Sequence, residues 1–216
     1  MAAQSKMVWT PFRRAMGNLL PALFAVPPMA LGVLQLIRAG QTFGPGLYWV
    51  AAGPVFGWVA MNFLGLFQNG AMRRHMLREY RAERGEDGLE KVFVGMASPV
   101  YSSIVDPHED VGFLVVHEGG AAGTLTGQAQ PTPSGTWTIE YWGERKKVSL
   151  RREQITGIHF RPNAHTFVGL GGWISIDGVA DGRPVRLLIE PREKDTLLGN
   201  VRFAKQLRKR LEAWRG

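Results

Sequence analysis

Residues 21–34 read PALFAVPPMALGVL, an apolar run that contains three prolines and no charged residue. This run lies in a longer uncharged stretch, because 23 residues separate Arg14 from Arg38 and a further 34 separate Arg38 from Arg73. A predominantly apolar stretch of about 18 or more residues is long enough to cross a bilayer as a helix. The sequence therefore predicts two membrane-spanning helices near its beginning.

The two predicted spans, residues 17–37 and 47–67, form a helical hairpin. The connecting segment 39–46 (AGQTFGPG) is short and rich in turn residues, so the helices are expected to be antiparallel neighbours. Prolines are tolerated in membrane helices because neighbouring groups satisfy the freed carbonyls. The first span has two alternatives: a signal peptide, disfavoured by its length and by the second span, and a re-entrant loop that turns at Pro27 and Pro28.

Small and polar residues in the spans indicate how the hairpin packs. Gly53 and Gly57 form a small-xxx-small pair, which lets two helix backbones approach closely. We expect this pair to pack the hairpin on itself, and a partner protein's helix is the alternative. Asn18, Gln35 and Asn62 are expected to form hydrogen bonds between helices. The spans contain no acidic or basic residue, so nothing in them indicates a transport path.

Basic residues lie on one side of the hairpin. The segments before the first span and after the second are rich in Arg and Lys, whereas the connection has only Arg38 at its edge, so both termini are predicted to be cytoplasmic at a bacterial inner membrane. The net charge is +8, and residues 1–88 have 9 basic and 4 acidic residues. A basic excess beside the spans favours anionic lipid over nucleic acid as a partner.

After residue 88 the pattern changes from helical to period-two spacing, which predicts β strands. Seven short strands are expected, at residues 113–117, 123–126, 136–142, 146–151, 154–160, 173–176 and 185–190. Seven strands without intervening helices favour an antiparallel barrel or sandwich. An amphipathic helix with Asp195 as its N-cap is predicted to follow. The fold class is therefore an α+β membrane protein, divided into a tail (1–15), the hairpin (16–68), a basic juxtamembrane helix (69–88) and a β domain (89–216).

Four stretches of the β domain resemble a known family: HEDVGFLVV (108–116), LRREQITGIHFRPN (150–163), GGWISIDG (171–178) and LLIEPREKDTLL (187–198). With their order of strands before one helix, they resemble bacterial membrane-anchored proteins with a pleckstrin-homology-like (PH-like) domain. The resemblance implies a seven-stranded barrel capped by the C-terminal helix, and a binding or scaffolding role, in some relatives as assembly factors of photosynthetic or other large membrane complexes. Lipid-binding members hold phosphoinositides with basic residues in the first hairpin. The segment HEGGAAG (117–123), taken as that hairpin, has no Lys or Arg, which counts against specific headgroup binding.

Two sets of basic residues are the candidate membrane-interface or partner-binding sites. We expect the first set, on the juxtamembrane helix, to lie against lipid headgroups. The second set, on one predicted strand, could meet the membrane or an acidic partner, or could form a solvated sheet edge. The two sets are Arg73, Arg74, Arg78 and Arg81, and Lys146, Lys147, Arg151 and Arg152.

No catalytic, cofactor or metal site is predicted. The chain has no cysteine, which excludes disulfides and Cys ligands. Residues 106–110 (DPHED) offer four possible metal ligands in five positions but match no known ligand spacing, so a solvated loop is expected there. The expected function is a non-catalytic accessory, scaffold or assembly subunit of a larger membrane complex, photosynthetic or respiratory. The alternatives are an anionic-lipid sensor and an enzyme that uses the 106–110 cluster.

Overall fold

The computed structural model describes residues 8, 10–40, 42–64, 68–98, 108–117, 137–162, 166 and 169–216. It is an α+β structure of four α-helices and seven strands within these residues. The helices are α1 (Pro11–Ala39), α2 (Gly46–Leu64), α3 (Asn69–Arg84) and α4 (Leu197–Arg215). The strands are β1 (Lys91–Ala97), β2 (His108–His117), β3 (Thr138–Gly143), β4 (Lys147–Arg151), β5 (Ile155–Arg161), β6 (Trp173–Ala180) and β7 (Arg183–Pro191).

The two N-terminal helices form the predicted hairpin. By length and composition, two helices could cross a membrane: residues Leu19–Ala39 of α1 and the helical stretch that begins at Gly46. Only 11% of the apolar window of α1 is buried, so α1 is not the core helix of the β domain. Because α1 stays helical through Pro27 and Pro28, the re-entrant alternative is wrong.

Small residues bring the backbones of α1 and α2 into close contact. A Cβ atom added to Gly53 would lie 2.6 Å from the carbonyl oxygen of Ala25, and one added to Gly57 would lie 2.8 Å from the Cβ of Ala25. Neither glycine therefore has room for a side chain unless the helices move apart. The structure places this glycine pair inside the hairpin, where Gly32 and Gly46 make a similar approach nearer the connection.

The β domain is one antiparallel seven-stranded sheet with the strand order β4-β3-β2-β1-β7-β6-β5. Six of the seven predicted strands correspond to β2 to β7 with shifted ends. The seventh, residues 123–126, lies outside the described residues, and β1 was not predicted. Because β1 precedes β2, the first hairpin of the sheet is β1–β2, and HEGGAAG was wrongly taken as that hairpin. The connection between them, residues 98–107, also has no Lys or Arg.

Helices pack on both faces of the sheet. On one face, side chains from all seven strands share a single core with Leu207, Leu211 and Trp214 of α4. On the other face, α3 packs Met72, Met76 and Tyr80 against β1, β2 and β3. The apolar side of α3 is therefore buried against the sheet, and only its polar side remains free for other contacts.

Helix α4 begins one residue later than the sequence suggested. Its N-cap is Thr196, whose hydroxyl accepts a hydrogen bond from the Gly199 amide at 3.1 Å, so the prediction of Asp195 was wrong. The predicted misfit in its apolar stripe, Arg208, is half-buried and pairs with Glu212 one turn later. Helix α3 ends at Gly85, whose φ of 77° is in the region that favours glycine.

Candidate functional site

The hairpin and the β domain meet at a junction between α2 and α4. Trp58 and Met61 of α2 pack against Leu170, which precedes β6, and Leu197, the first residue of α4. Next to this apolar contact, the buried Asn62 side chain accepts a hydrogen bond from the backbone N–H of Leu198 at 3.0 Å. We call these residues the α2–α4 junction.

Asn62 supplies a capping interaction to α4 from a different part of the chain. The first four backbone N–H groups of a helix have no partner within that helix. Thr196 satisfies one of them at Gly199, and Asn62 satisfies a second at Leu198. The sequence predicted Asn62 to bond the other helix of the hairpin, whereas its partner is 136 residues away in the β domain.

A second set of polar contacts joins the start of α3 to the segment between β7 and α4. The Arg192 guanidinium donates to the side-chain oxygen of Asn69 at 3.3 Å, in a buried position. Arg73 forms an ion pair with Glu193 at 3.3 Å, and the other oxygen of Glu193 accepts from the Phe93 amide at 2.6 Å. These bonds tie α3, β1 and the start of α4 into one unit directly below the hairpin.

The four arginines predicted to meet lipid headgroups from α3 have different surroundings. Arg73 pairs with Glu193 and Arg81 with Glu86, so their charges are partly compensated. Arg74 and Arg78 are exposed and form no ion pair with any carboxylate in the described part of the chain. The structure thus leaves two of the four charges free, with Arg74 in the turn of α3 that is nearer the hairpin.

The predicted basic edge on β4 is compensated by acidic groups. Lys146 pairs with Glu109 at 2.7 Å, and Arg151 pairs with Glu153 at 3.2 Å. Lys147 binds Glu83 of α3, and this bond lowers the pKa of Glu83. These partners reduce the positive potential that the edge can present to a lipid or an acidic protein.

Arg152 is engaged by the C-terminal end of α4. Its guanidinium lies 5.2 Å from the centre of the Trp137 ring and donates to the Arg215 carbonyl at 2.8 Å. Leu198 and Arg215 are separated by 17 residues of α4, or about 25 Å along the helix axis. Arg151 and Arg152 are therefore at the end of α4 that is far from the hairpin.

A buried polar group links α3 to β2 and β3. Glu140 on β3 accepts a hydrogen bond from His117 at 3.2 Å and pairs with Arg84 of α3. The His117 bond, helped by Arg84, lowers the pKa of Glu140 in spite of burial. The group fixes the position of α3 on the sheet, and we assign it a structural role.

The acidic cluster at residues 106–110 is not a solvated loop where the structure describes it. Asp110 lies within β2, is fully buried, and accepts hydrogen bonds from the backbone amides of Val111, Arg145 and Lys146. Burial raises its pKa, although the three amide bonds oppose that shift. Asp106 lies outside the described residues, within which no group of three potential metal ligands is found. Asp110 instead fixes the turn between β3 and β4.

The sequence identified some residues of these contacts, but not the residues that they bind. It singled out Asn62 as a polar residue in an apolar helix, and Arg73 as part of a basic helix. It gave no signal for Glu193, Arg192 or Leu198, because their roles depend on contacts between distant segments. Comparisons with family models, with curated proteins and with solved structures found no match to this chain.

Proposed function

We propose that this chain is a bacterial inner-membrane protein whose hairpin spans the bilayer twice, with both termini and the β domain in the cytoplasm. The observation that carries the proposal is the outward direction of the apolar side chains in α1 and α2. A helix that exposes large apolar residues along its length is costly in water and stable in lipid. The arginines that flank the spans favour the cytoplasmic orientation.

The β domain is proposed to be PH-like. In the resembling family a run of antiparallel strands is closed by one C-terminal helix. The strand order, in which β1 lies between β2 and β7 while β4 and β5 form the edges, supports that assignment. So does the position of α4, which packs on the shared core.

As its role, we propose a non-catalytic accessory, scaffold or assembly subunit that binds other membrane proteins. The α2–α4 junction supports this role because it holds the β domain at a fixed position beside the membrane helix. A partner that contacts both the hairpin and the domain then meets a preorganised surface, which lowers the entropic cost of binding. Photosynthetic and respiratory complexes are the candidate assemblies, from the family resemblance alone.

Lipid sensing through the β4 edge is the weaker alternative. Lys146, Lys147 and Arg151 each have an acidic partner, and Arg152 lies on Trp137. An anionic headgroup would have to displace these internal partners before it gained a charge interaction. We therefore favour a protein partner over lipid for that edge.

Crosslinking from two positions of the full chain in its native membranes tests the proposed role. A photoreactive residue at Val55, on the exposed side of α2, is expected to crosslink to an integral membrane protein. The same residue at Ser149, on the exposed side of β4, reports whether the partner also covers the domain. Mass spectrometry identifies the products, and sedimentation in mild detergent shows whether the partner remains bound.

Two results would contradict the proposal at different levels. If the chain sediments alone and both positions crosslink only to lipid or water, the accessory role is wrong although the membrane hairpin stands. If alkaline carbonate releases the full chain from membranes, the hairpin does not span the bilayer.

A further inference from the structure

We propose that the β domain also rests directly on the bilayer, through a headgroup face that binds anionic lipid. This face lies at the hairpin end of the domain, on a different surface from the β4 edge. The inference rests on the proposed membrane hairpin, which brings the domain to the bilayer. The face consists of Phe160, Arg161, Lys194, Leu198 and Arg202.

The contacts of the α2–α4 junction locate this face. Leu198 lies beside α2 because its amide donates to Asn62. Leu170 packs on Trp58 and Met61 of α2, and Gly172, two residues later, lies directly under the ring of Phe160. The end of β5 and the beginning of α4 are therefore both at the end of the domain where α2 enters it.

Two large apolar side chains on this face are exposed. Leu198 is 38% exposed and Phe160 is 45% exposed, although the core of the domain lies nearby. Exposed apolar side chains are common on protein surfaces and carry little weight alone. Here they adjoin a helix whose own outward face is apolar, so one lipid surface can cover both.

The charges on the face complement an anionic surface. Arg161, Lys194 and Arg202 are exposed, and none forms an ion pair among the residues that the structure describes. Lys194 lies 5.3 Å from the centre of the Phe203 ring, and Arg161 helps to lower the pKa of Asp177. The exposed Asp195 lies beside Lys194 and Arg202, so the three cations outnumber one acidic group there. On the β4 edge, Lys146, Lys147 and Arg151 are all paired with carboxylates, whereas the exposed Arg183 at the β6–β7 turn forms no ion pair within the described residues. The hairpin end therefore suits lipid headgroups better than the β4 edge does, since each cation near an anionic leaflet is expected to strengthen contact about fivefold.

The absence of cysteine allows single spin labels to test the face in the full chain. The labelled variants are Leu198→Cys and Phe160→Cys on the face, Val179→Cys at the distant end of β6, and Leu31→Cys on the outward side of α1. Val179 is the matched control, because it is 42% exposed and apolar. The protein is reconstituted in phosphatidylcholine vesicles with and without phosphatidylglycerol. Collisions with oxygen, which is enriched in lipid, and with a water-soluble nickel chelate report each label's surroundings.

In vesicles with phosphatidylglycerol, labels 198 and 160 are expected to be shielded from nickel and accessible to oxygen, whereas label 179 remains accessible to nickel. Without the anionic lipid, or at high salt, the shielding is expected to decrease. Lys194→Gln and Arg202→Gln should each shift this docking equilibrium about fivefold. Arg183→Gln, which removes an exposed charge at the distant β6–β7 turn, should leave it unchanged.

The four labels separate failure of this inference from failure of the membrane hairpin. If label 31 lies in lipid but labels 198 and 160 behave like label 179, the headgroup face is wrong and the hairpin stands. If labels 198 and 160 are shielded from both oxygen and nickel, protein and not lipid covers the face, and the inference is also wrong. If label 31 is accessible to nickel, the hairpin is not inserted and both proposals fail.

Discussion

The hairpin and the β domain arrange apolar side chains in opposite ways. In the hairpin, large residues such as Leu23 and Val33 point outward, and glycines let the two helices approach closely. In the β domain, Leu114, Ile139 and the other large residues point inward. The two regions thus pack in different ways, which is the difference that the proposed membrane hairpin predicts.

The largest expected effect is the difference between one Leu→Ala substitution in the β domain and one in the hairpin, measured by the free energy of unfolding of the β domain. Leu114→Ala removes a side chain that is 1% exposed and should lower the free energy of unfolding of the β domain by about 2–5 kcal/mol. Leu31→Ala removes one that is 54% exposed on α1, and should leave that free energy unchanged because no cavity forms. Denaturant unfolding of the full chain in detergent measures both. Equal losses would remove the contrast between the two regions.

A side chain added inside the hairpin tests whether small residues set its packing. Gly53→Val should destabilise the contact between α1 and α2 by about 1–3 kcal/mol, since the Ala25 carbonyl occupies the space. Ala51→Val, on the exposed side of α2, is the control. Spin labels at Val33→Cys and Tyr48→Cys report the distance between the helices. An unchanged distance with Gly53→Val would mean that this glycine does not limit the approach.

The α2–α4 junction couples the two regions, and Asn62→Ala should weaken that coupling. Without the Asn62 acceptor, the Leu198 amide loses a bond worth about 1 kcal/mol. Hydrogen exchange at that amide is therefore expected to become faster, while Asn62→Asp, which retains an oxygen acceptor, should protect it. Equal exchange in Asn62→Ala and the unaltered chain would show that the bond does not hold the domain to the hairpin.

The smallest expected effect is a pH dependence confined to the β domain. His117 and Arg84 lower the pKa of Glu140 below its usual value of 4.5, so the ionised form stabilises the folded state. This stability is present above about pH 4.5 and should be lost as pH falls through the folded pKa. Unfolding of Glu140→Gln should depend less on pH over that interval.

Removal of an exposed carboxylate is the control that shows whether the pH dependence of stability comes from the buried Glu140. Glu153→Gln removes a carboxylate from an exposed ion pair with Arg151, and the pH dependence should then resemble that of the unaltered chain. If both variants flatten the dependence equally, the burial of Glu140 does not matter. The hairpin has no acidic residue, so its own packing should not respond over this interval.

The prediction of β1 failed for a reason that the structure explains. Val92, Val94 and Met96 face the core shared with α4, whereas Phe93 faces α3. Because both sides of the strand are buried, the sequence KVFVGMA shows no alternation between apolar and polar residues. Strand β3 is buried almost as completely, but its sequence TIEYWG alternates polar and apolar residues, and β4 alternates because one of its sides is exposed.

The candidate site was predicted less well than the fold. Charge patterning identified Arg73 and the β4 lysines as basic residues, but could not identify Glu193 or Glu83 as their partners. Asp110 suggested a solvated acidic loop, yet three backbone amides surround its carboxylate inside the sheet. In each case the local composition was correct and the partner came from another segment.

The sequence by itself determined the lengths and periodicities: two uncharged apolar stretches, an amphipathic α3, alternating strands and a final amphipathic helix. These features are local, because periods of 3.6 and two residues can be read from neighbouring positions in the sequence. Only the tertiary structure decided that α3 covers the sheet, that Asn62 caps α4, and which cations stay unpaired. Those outcomes depend on residues up to 136 positions apart, which approach only when the folded chain buries its apolar faces.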